Sequence, residues 1–328
     1  MYKLLNFLSA PDRNRVLVVD NNGNPASLKI TLEGNNTLSG LVDPQKAQIT
    51  TVTLGGVKPK ELSLPSADII LNSSCDPDTN LKALLQAQAL LQNSTIPVIN
   101  APQETLKTTR EQTYMLLSGI SGIRVPKTIR ISPHQLSDIP KLLEKNGMSY
   151  PYIFRSAGEH GGEGMALVQS VDDLGKLERF AFDGRSFYAI EFVDFQSDDG
   201  LYRKYRMVVI DGQFYPRHLI ISKSWNIHSE TRAELMESDE RFKDEEISYL
   251  QHPHPSLPQL CREIHKTIPL DFIGVDCHIN AKGEILIFEV NTCMRIVADK
   301  PIEYQRPFME DIKSAFNAML EKKMASKS

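Results

Sequence analysis

The 328-residue sequence has few of the features that mark small disulfide-rich, exported or membrane-spanning proteins. Its four cysteines, Cys75, Cys261, Cys277 and Cys293, are far apart and form no C-x-x-C pair, which argues against a zinc ribbon, a redox motif or a disulfide scaffold. No apolar run approaches the ~20 residues that span a bilayer. Pro11 ends the first apolar stretch too early for a secretory signal. We therefore expect a reduced, cytoplasmic protein without a membrane partner.

Neither sign of charge predominates in the chain. It contains 37 Lys and Arg residues against 41 Asp and Glu residues, a net charge of −4. This balance excludes a globally basic nucleic-acid binder, so we expect no nucleic-acid partner. The composition is 41% hydrophobic and 24% charged, as in ordinary globular proteins. The length is sufficient for roughly two domains with a large core.

The first hundred residues alternate between strand and helix patterns. Apolar runs at 16–19 and 67–72 predict strands, and leucines at helical spacing predict a helix over 80–91. The segment 97–100 returns to an extended pattern. This order predicts a small α/β layer.

A second block begins near residue 105. Thr108 and Glu111 form a capping-box pattern, which predicts a helix running to about Leu117. A strand over 127–131 and a short helix over 136–145 are predicted to follow.

A glycine-rich segment, 158–164, lies between two predicted strands at 151–155 and 165–168. It has four glycines in seven positions, and neither Gly-Lys-Ser/Thr nor a helix follows, which excludes a Walker A loop and a Rossmann fingerprint. One interpretation is a hairpin tip whose backbone N–H groups lie over phosphates. The other is a plain hairpin, and glycines alone do not separate the two.

The chain between 188 and 255 is predicted to contain three strands and a charged insertion. The strands cover 188–193, 202–210 and 213–222, with a turn between the last two. The acidic segment 229–246 predicts a solvated helix or insertion. His252 to Pro255 resembles metal-ligand spacing, but its prolines favour a loop.

Three oxygen-bearing side chains are predicted to share one side of the last hairpin. Its two strands are predicted to cover residues 271–280 and 284–291. The turn at 280–283 sets a register in which Asp276 lies opposite Ile287, and period-two alternation then places Glu289 and Asn291 on the same face. Asp276 and Glu289 become diagonal neighbours, with backbones roughly 7–8 Å apart.

Two like charges on one face of a hairpin are costly unless a cation lies between them. Asp and Glu are also poor strand formers, and an otherwise apolar strand has no structural need of Glu289. The alternative is a structural salt bridge to a Lys or Arg. Because Asn291 adds a third hard oxygen ligand, we favour a site for Mg²⁺ or Mn²⁺.

The spacing of Asp276, Glu289 and Asn291 resembles the metal site of the ATP-grasp superfamily. The glycine segment 158–164 resembles that family's phosphate-covering loop, and residues 190–193 resemble its adenine hinge. The resemblance covers residues 105–318. The most similar branch contains ligases that join a carboxylate to an amine, such as RimK-like and glutathione-synthetase-like enzymes and D-alanine–D-alanine ligase.

The resemblance implies an α/β (α+β) fold with the nucleotide between two α+β subdomains. It implies a preceding α/β domain over 1–104, a central subdomain over 105–190 and a C-terminal subdomain over 191–328. The implied cofactors are ATP and Mg²⁺ or Mn²⁺, as two ions. The implied reaction forms an acylphosphate and then an amide, with release of ADP and phosphate. The partners are small-molecule or peptide substrates, and homo-oligomers are frequent among relatives.

The resemblance also implies roles for individual residues. The residues implied to bind the nucleotide are Arg110, Arg155, Gly161, Gly162, Gly164, Glu191, Phe192, Val193, Asp194 or Asp198, and Lys223. Arg110 and Arg155 stand where the family has lysines and keep the positive charge. Lys223 would reach the γ-phosphate, Arg217 would stabilise the transition state, and Arg295 would hold a substrate carboxylate. From position alone, the stretch around Trp225 is placed beside the substrate pocket.

Three other functions stay open at this stage. A small-molecule kinase would use the same metal set, and a requirement for both an acid and an amine would distinguish the ligase from it. A nucleotide-binding module without catalysis is the second alternative. A hydrolase using Cys293, with His278 as a nearby base, is the third.

Overall fold

The protein is described by a computed structural model that covers most of the chain. Not described are residues 13–15, 21–27, 57–62, 160, 161, 163, 229–231, 237, 238, 293, 295, 297–301, 327 and 328. Over 16–20, 28–31, 233 and 234 the backbone alone is described. Within the covered residues, no helix is long and apolar enough to cross a membrane.

The N-terminal part contains a four-stranded parallel sheet and a separate antiparallel pair of strands. In chain order the strands are β1 (Tyr2–Ser9), β2 (Val16–Asp20), β3 (Leu28–Leu32), β4 (Ala47–Leu54), β5 (Ile69–Asn72) and β6 (Val98–Ile99). The sheet order is β4-β1-β5-β6, and β2 pairs with β3. Helix α1 (Pro77–Leu91) packs against β1 and β4. The helix starts three residues before the predicted position because Asp76 caps it and Pro77 suits its first turn.

The second sheet carries the glycine-rich hairpin. Its strands are β8 (Thr128–Ile131), β9 (Tyr152–Ser156), β10 (Met165–Val168) and β11 (Phe187–Glu191), in the order β10-β9-β11-β8. The helices between β6 and β9 in the chain are α2 (Pro102–Thr105), which packs on α1, α3 (Arg110–Leu117) and α4 (Ile139–Lys145). The rings of Phe154 and Phe187 stack at 4.8 Å in its core.

The predicted capping box at the start of α3 is wrong. The hydroxyl of Thr108 donates to the carbonyl of Thr105 at 2.7 Å, and Thr109 is the residue that precedes the helix. Glu111 instead accepts from Arg130 Nε at 2.5 Å. A long-range ion pair therefore replaces the local cap that the sequence indicated.

The third sheet has five strands in the order β13-β12-β14-β15-β7. They are β7 (Ile123–Arg124), β12 (Tyr202–Ile210), β13 (Gln213–Ser222), β14 (Phe272–Ile279) and β15 (Ile285–Asn291). The helices that follow β13 are α5 (Arg232–Met236), α6 (Glu240–Gln251), α7 (Leu257–Thr267) and α8 (Arg306–Ala325).

Alternation along β12 divides the surfaces of this sheet. Met207 and Val209 face the core formed with α6 and α7. Val208 and Ile210 face the opposite way and pack with α8 and the N-terminal sheet. Toward the start of β12 the residues on that second face become cationic, beginning with Arg206. One end of the face is therefore buried against α8 and the N-terminal sheet, and the other end is polar.

A buried asparagine joins the first and third sheets. Asn100 has a φ of 55°, a conformation that asparagine tolerates better than most residues. Its backbone N–H donates to Asp271 at 2.9 Å, and its side chain exchanges hydrogen bonds with the backbone of Phe272 at 2.8 and 2.9 Å. The contacts fix the end of β6 against the start of β14.

A second polar cluster joins α1 to the glycine-hairpin sheet. Arg130 donates to Asp78 at 2.6 Å, and the Tyr188 hydroxyl donates to the same carboxylate at 2.5 Å. Burial raises the pKa of Asp78 even though both partners favour its ionised form. Thr79 beside it donates to the carbonyl of Gly158 at 3.3 Å, so the N-terminal part directly contacts the base of the glycine hairpin.

Two composition-based expectations need correction. Cys75 is disulfide-bonded, so the prediction of a fully reduced chain is wrong, whereas Cys261 and Cys277 are buried free thiols. Burial raises the pKa of Cys261 to about 12, which makes it unreactive. The acidic segment is not wholly solvated, because Glu246 on α6 is fully buried. Cys293 lies outside the described residues.

Candidate active site

A cavity of about 660 Å³ opens between the second and third sheets. Residues of β9 and β11 form one wall, and residues of β12 to β15 form the other. The cationic end of the third sheet is therefore the surface that this cavity exposes. Gly162 and Met165 bring the glycine hairpin over it.

The last hairpin brings Asp276, Glu289 and Asn291 together on the cavity wall. Asp276 lies directly opposite Glu289, and Gly274 lies opposite Asn291. The predicted diagonal arrangement is therefore wrong in register, although the shared face is confirmed. Directly opposed residues have Cβ atoms about 4.5–5.5 Å apart, closer than the diagonal pair we expected.

A β-bulge explains the difference in register. The pairing shifts after Asp276, so that Cys277 lies opposite Ile287 and Phe288 is an extra residue on β15. An extra residue reverses the alternation of side chains beyond it. Ile287 consequently belongs to the core under the sheet, not to the carboxylate face as predicted, while Leu286 packs with Phe288 on the cavity side.

Both carboxylates have basic partners. Arg206 donates to the two oxygens of Asp276 at 2.6 and 2.8 Å, and Lys204 Nζ lies 3.7 Å away. Arg110 on α3 pairs with Glu289 at 2.7 Å. Burial opposes the ionisation of Asp276, but the charges and hydrogen bonds of Arg206 and then Lys204 outweigh it and lower its pKa. The structural salt bridges considered as the alternative to a metal site are therefore present. Both carboxylates nevertheless line an open cavity, where a ligand can reach them.

The donor set has the chemistry of a hard divalent cation site. A carboxylate has about four lone-pair positions, so an arginine contact does not exhaust it. Among the residues whose side chains are described, no three His, Cys, Asp or Glu side chains group together, so the third member of the predicted set is an amide, that of Asn291. Two carboxylates and an amide fit Mg²⁺ or Mn²⁺ and are a poor match for zinc.

A second bulge lies across the sheet from the first. Arg206 pairs with His218 and Met207 pairs with Pro216, which makes Arg217 an extra residue on β13. Regular alternation would place Arg217 and His218 on opposite faces, but both line the cavity. Arg217 is held there by hydrogen bonds to the Ile296 carbonyl at 2.8 Å and Gln305 Oε1 at 3.0 Å.

Arg155 lies on the wall formed by the glycine-hairpin sheet. It is 5% exposed, and its guanidinium donates to the Glu159 carbonyl. Burial and then the charge of Arg110 lower the pKa of Arg155 to about 9, so it stays a cation at neutral pH. Arg155 and Arg110 thus approach the same region from two different elements.

Two of the three implied loop glycines are described, and both are closely surrounded. Asn226 Nδ2 donates to the Gly162 carbonyl at 3.1 Å, and a Cβ on Gly162 would lie 2.6 Å from Asn226 Oδ1. A Cβ on Gly164 would lie 2.3 Å from Glu159 Oε2. Gly161 lies outside the described residues. The tight approach at Gly162 fixes the hairpin tip against the stretch around Trp225.

The implied adenine hinge also reaches the cavity. Phe192 and Val193 line it, and the rings of Phe192 and Trp225 meet edge to face at 5.6 Å. Glu191 contributes to the wall, but its carboxylate accepts from the Lys127 backbone N–H at 3.0 Å and pairs with Arg124 at 3.1 Å. The backbone of the hinge is therefore better placed than the Glu191 side chain to read a base.

Three of the implied side chains are not brought to the cavity. Asp194 and Asp198 are exposed and outside its described wall, as is Lys223, which follows the last residue of β13. Lys204 occupies the cavity in its place, with Nζ 2.5 Å from the Ile227 carbonyl. Arg295 lies outside the described residues.

Sequence reasoning missed several polar groups of the wall, among them Lys204, His218, Arg232 and Gln305. Lys204 and His218 belong to strands whose bounds were predicted correctly, and Arg232 and Gln305 follow those strands in the chain. The adjacency of His218 to Arg217 was the available signal. It is uninformative without the bulge, because neighbouring residues in a regular strand face opposite ways.

No family model matches the sequence, and no curated protein matches it. Solved structures do. A RimK-domain ATP-grasp protein from Sphaerobacter thermophilus superposes with a TM-score of 0.54 at 14% identity, over 97% of this chain and 98% of that one. The chain has the ATP-grasp fold. The fold predicted from the sequence is confirmed.

Two named ligases share this ATP-grasp architecture. D-alanine–D-alanine ligase from Bacillus anthracis, complexed with ATP, matches at a TM-score of 0.53 and 13% identity, over 99% of this chain and 98% of that one. D-alanyl-alanine synthetase A from Vibrio cholerae matches at 0.56 and 12% identity, over 100% and 99%. The matches span nearly the full length of both partners, so the N-terminal sheet belongs to the shared architecture.

Proposed function

We propose that this protein is an ATP- and Mg²⁺-dependent ligase that joins a carboxylate to an amine through an acylphosphate. The observation that carries the proposal is the direct opposition of Asp276 and Glu289 on the wall of a cavity that also collects cations from several elements. Phosphoryl transfer needs positioned charges more than a covalent nucleophile. The described wall supplies such charges, and the ATP-grasp fold supports the use of ATP.

The cavity offers a position for each part of the nucleotide. The base would lie against the hinge backbone at Phe192 and Val193 and beside the indole of Trp225, and the phosphates would extend toward Arg155 and Arg110. Asp276, Glu289 and Asn291 would hold Mg²⁺ or Mn²⁺. When bound, such an ion neutralises phosphate charge and orients the transferred group.

The substrate carboxylate attacks the γ-phosphorus, the bond from phosphorus to the ADP oxygen breaks, and an acylphosphate forms. Lys204 and Arg206 bring positive charge to this region, and Arg217 is rigidly held by Ile296 and Gln305 where charge develops. An amine then attacks the acyl carbon and phosphate leaves. The hairpin at Gly162 excludes water, which would otherwise hydrolyse the intermediate.

A screen for acid-dependent and amine-dependent ADP release tests the function. Because the named ligases with this fold act on D-alanine, amino acids of both hands and short peptides are the first acids and amines to try. We expect ADP and phosphate release only when ATP, Mg²⁺, an acid and an amine are all present. A stable phosphorylated product without an amine would identify a kinase instead, and no ADP release under any condition would reject the proposal.

Trp225, the single tryptophan of the chain, provides a direct test of the base position. We expect its fluorescence to change when Mg²⁺ and a non-hydrolysable ATP analogue are added, because the base would contact the indole. The Trp225→Phe variant should lose the signal and still bind the analogue by calorimetry. Binding by calorimetry without any fluorescence change in the wild type would place the base elsewhere.

A further inference from the structure

Two consecutive residues at the start of α3 hold the two walls of the cavity. Arg110 reaches the third sheet, where its Nη1 donates to the Phe288 carbonyl at 2.9 Å and its Nη2 pairs with Glu289 at 2.7 Å. Glu111 reaches the second sheet, where its Oε1 accepts from Arg130 Nε at 2.5 Å. The helix itself packs against β8 and β15. The first turn of α3 is therefore a joint between the two sheets that enclose the cavity.

This joint replaces the local cap that ordinarily holds the start of a helix. Thr109, which precedes α3, makes no side-chain cap hydrogen bond. A helix end without a cap leaves backbone N–H groups unsatisfied and frays. The side chains of Arg110 and Glu111 supply the missing restraint through residues that are far away in the chain. Because the two are held by different sheets, loss of either contact loosens the first turn and changes the direction of the other side chain.

Arg130 connects α3 to two further elements. Its Nη2 donates to Asp78 on α1 at 2.6 Å, and its Cζ lies 4.7 Å from the centre of the Tyr188 ring on β11. It is thus paired with two carboxylates, one from α3 and one from α1. Burial opposes the ionisation of Glu111, but the hydrogen bond and charge of Arg130 outweigh it and lower the pKa of Glu111. The pair of Glu111 and Arg130 is therefore charged at neutral pH.

The bulge on β15 gives Arg110 a second anchor beside Glu289. Phe288 is the extra residue of that bulge, and an extra residue is left out of the strand ladder. Its carbonyl accepts from Arg110 instead. A guanidinium has five N–H donors, so these two contacts leave donors for a phosphate. The Arg110 side chain is 18% exposed and lines the cavity, where a phosphate can reach it.

We propose that Glu111, held by Arg130, is a positioning residue that directs Arg110 onto the phosphates of the nucleotide. The inference rests on the use of ATP in the function proposed above. Glu111 itself lies outside the described cavity wall. It acts by fixing the first turn of α3, and with it the direction of the neighbouring guanidinium. The same contact helps to set the separation of the two walls between which the nucleotide would lie.

Glu111 and Asp78 form a matched pair for the test, because each gives Arg130 one carboxylate. Their side chains are 20% and 10% exposed. Binding of a non-hydrolysable ATP analogue with Mg²⁺ is measured by calorimetry in Glu111→Ala and in Asp78→Ala. We expect Glu111→Ala to raise the Kd about 10-fold, and Asp78→Ala to stay within about twofold of the wild type, because only Glu111 adjoins Arg110. Both variants should lose similar thermal stability.

A double variant tests whether the effect passes through Arg110. In the Arg110→Gln background, Glu111→Ala should cause no further loss of affinity, since the group that it positions is gone. Glu111→Gln keeps an oxygen that can accept from Arg130, and it should recover part of the affinity. With a substrate pair from the screen, Glu111→Ala should raise the KM for ATP and leave the KM values for the acid and the amine unchanged.

Several outcomes would overturn the assignment. Equal losses of affinity in Glu111→Ala and Asp78→Ala would show that the cluster around Arg130 only stabilises the fold. Multiplied losses in the double variant would show that Glu111 acts independently of Arg110, and unchanged affinity in Glu111→Ala would show that it positions nothing. A wild type that binds the analogue without ligating any pair would reject the ligase and leave the role of Glu111 standing, whereas a wild type that binds no analogue would reject both.

Discussion

Glu289→Gln is expected to lower ATP turnover by at least about 10²-fold while leaving the protein folded. The substitution removes the charge but keeps an oxygen that can accept from Arg110, whose Nη2 lies 2.7 Å from Glu289 Oε1. The Glu289 side chain is 23% exposed and lies on the cavity wall, so its charge is available to a ligand. Loss of that charge weakens any cation shared with Asp276. Steady-state ADP release with saturating Mg²⁺ measures the effect.

The matched control is Glu284→Gln on the turn that precedes β15. Glu284 is exposed and accepts from Asn280 Nδ2 at 2.8 Å, far from the carboxylate pair along the same hairpin. Its replacement should leave turnover unchanged. Partial recovery of Glu289→Gln at raised Mg²⁺ would further support the metal role. Turnover within threefold of wild type would contradict the metal role. Glu289 would then serve only as the partner of Arg110, and an ion pair of this exposure contributes about 1 kcal/mol to stability.

The sequence located the strands of the site well because their signals are local. The predicted bounds of β10, β12 and β13 agree with the structure at every residue. Turn residues and apolar alternation are sufficient for this. The N-terminal strand β1 was missed because its apolar run was considered only as a secretion signal.

The orientation of side chains within those strands was harder to predict. Each of the two bulges adds one residue. Pro216 beside Arg217 is a local signal, because a proline within a strand indicates an edge strand or a bulge, but it does not fix which residue is extra. The residues around Phe288 carry no such signal. One extra residue exchanges the two faces, so His218 was missed and Ile287 was assigned to the wrong side. The common face of Asp276 and Glu289 was still correct, because both the predicted diagonal and the observed direct pairing keep them together.

Long-range ion pairs were the second limit. A basic residue on a predicted strand indicates a contact but does not identify the partner. Lys223 and Lys204 both lie within or beside predicted strands, and only Lys204 turns inward. Glu246 was grouped with solvated acids, although α6 turns that one residue toward Arg232.

Glu246→Ala is expected to destabilise the protein by about 3–5 kcal/mol, because it leaves a largely buried arginine without its counter-charge. The Glu246 carboxylate accepts from Arg232, from the Tyr304 hydroxyl at 2.5 Å and from Gln305 Nε2 at 2.8 Å. The opposite end of that Gln305 amide accepts from Arg217 at 3.0 Å. Loss of the carboxylate therefore leaves Arg232 with only neutral partners and releases one end of the amide that positions Arg217. Urea denaturation followed by circular dichroism measures the stability.

The adjacent residue on α6 is the natural control for Glu246. Glu245 pairs with Arg203 at 2.5 Å but is 35% exposed, and Arg203 has a second partner in Asp199 at 2.7 Å. Glu245→Ala should cost less than about 1 kcal/mol. Glu246→Gln keeps an acceptor for Tyr304 or Arg232 but no charge, and its loss of stability should fall between the two alanine variants. Equal losses of stability in Glu245→Ala and Glu246→Ala would mean that solvent reaches Glu246. The contacts that run from α6 through Gln305 to Arg217 would then not hold the cavity wall in place.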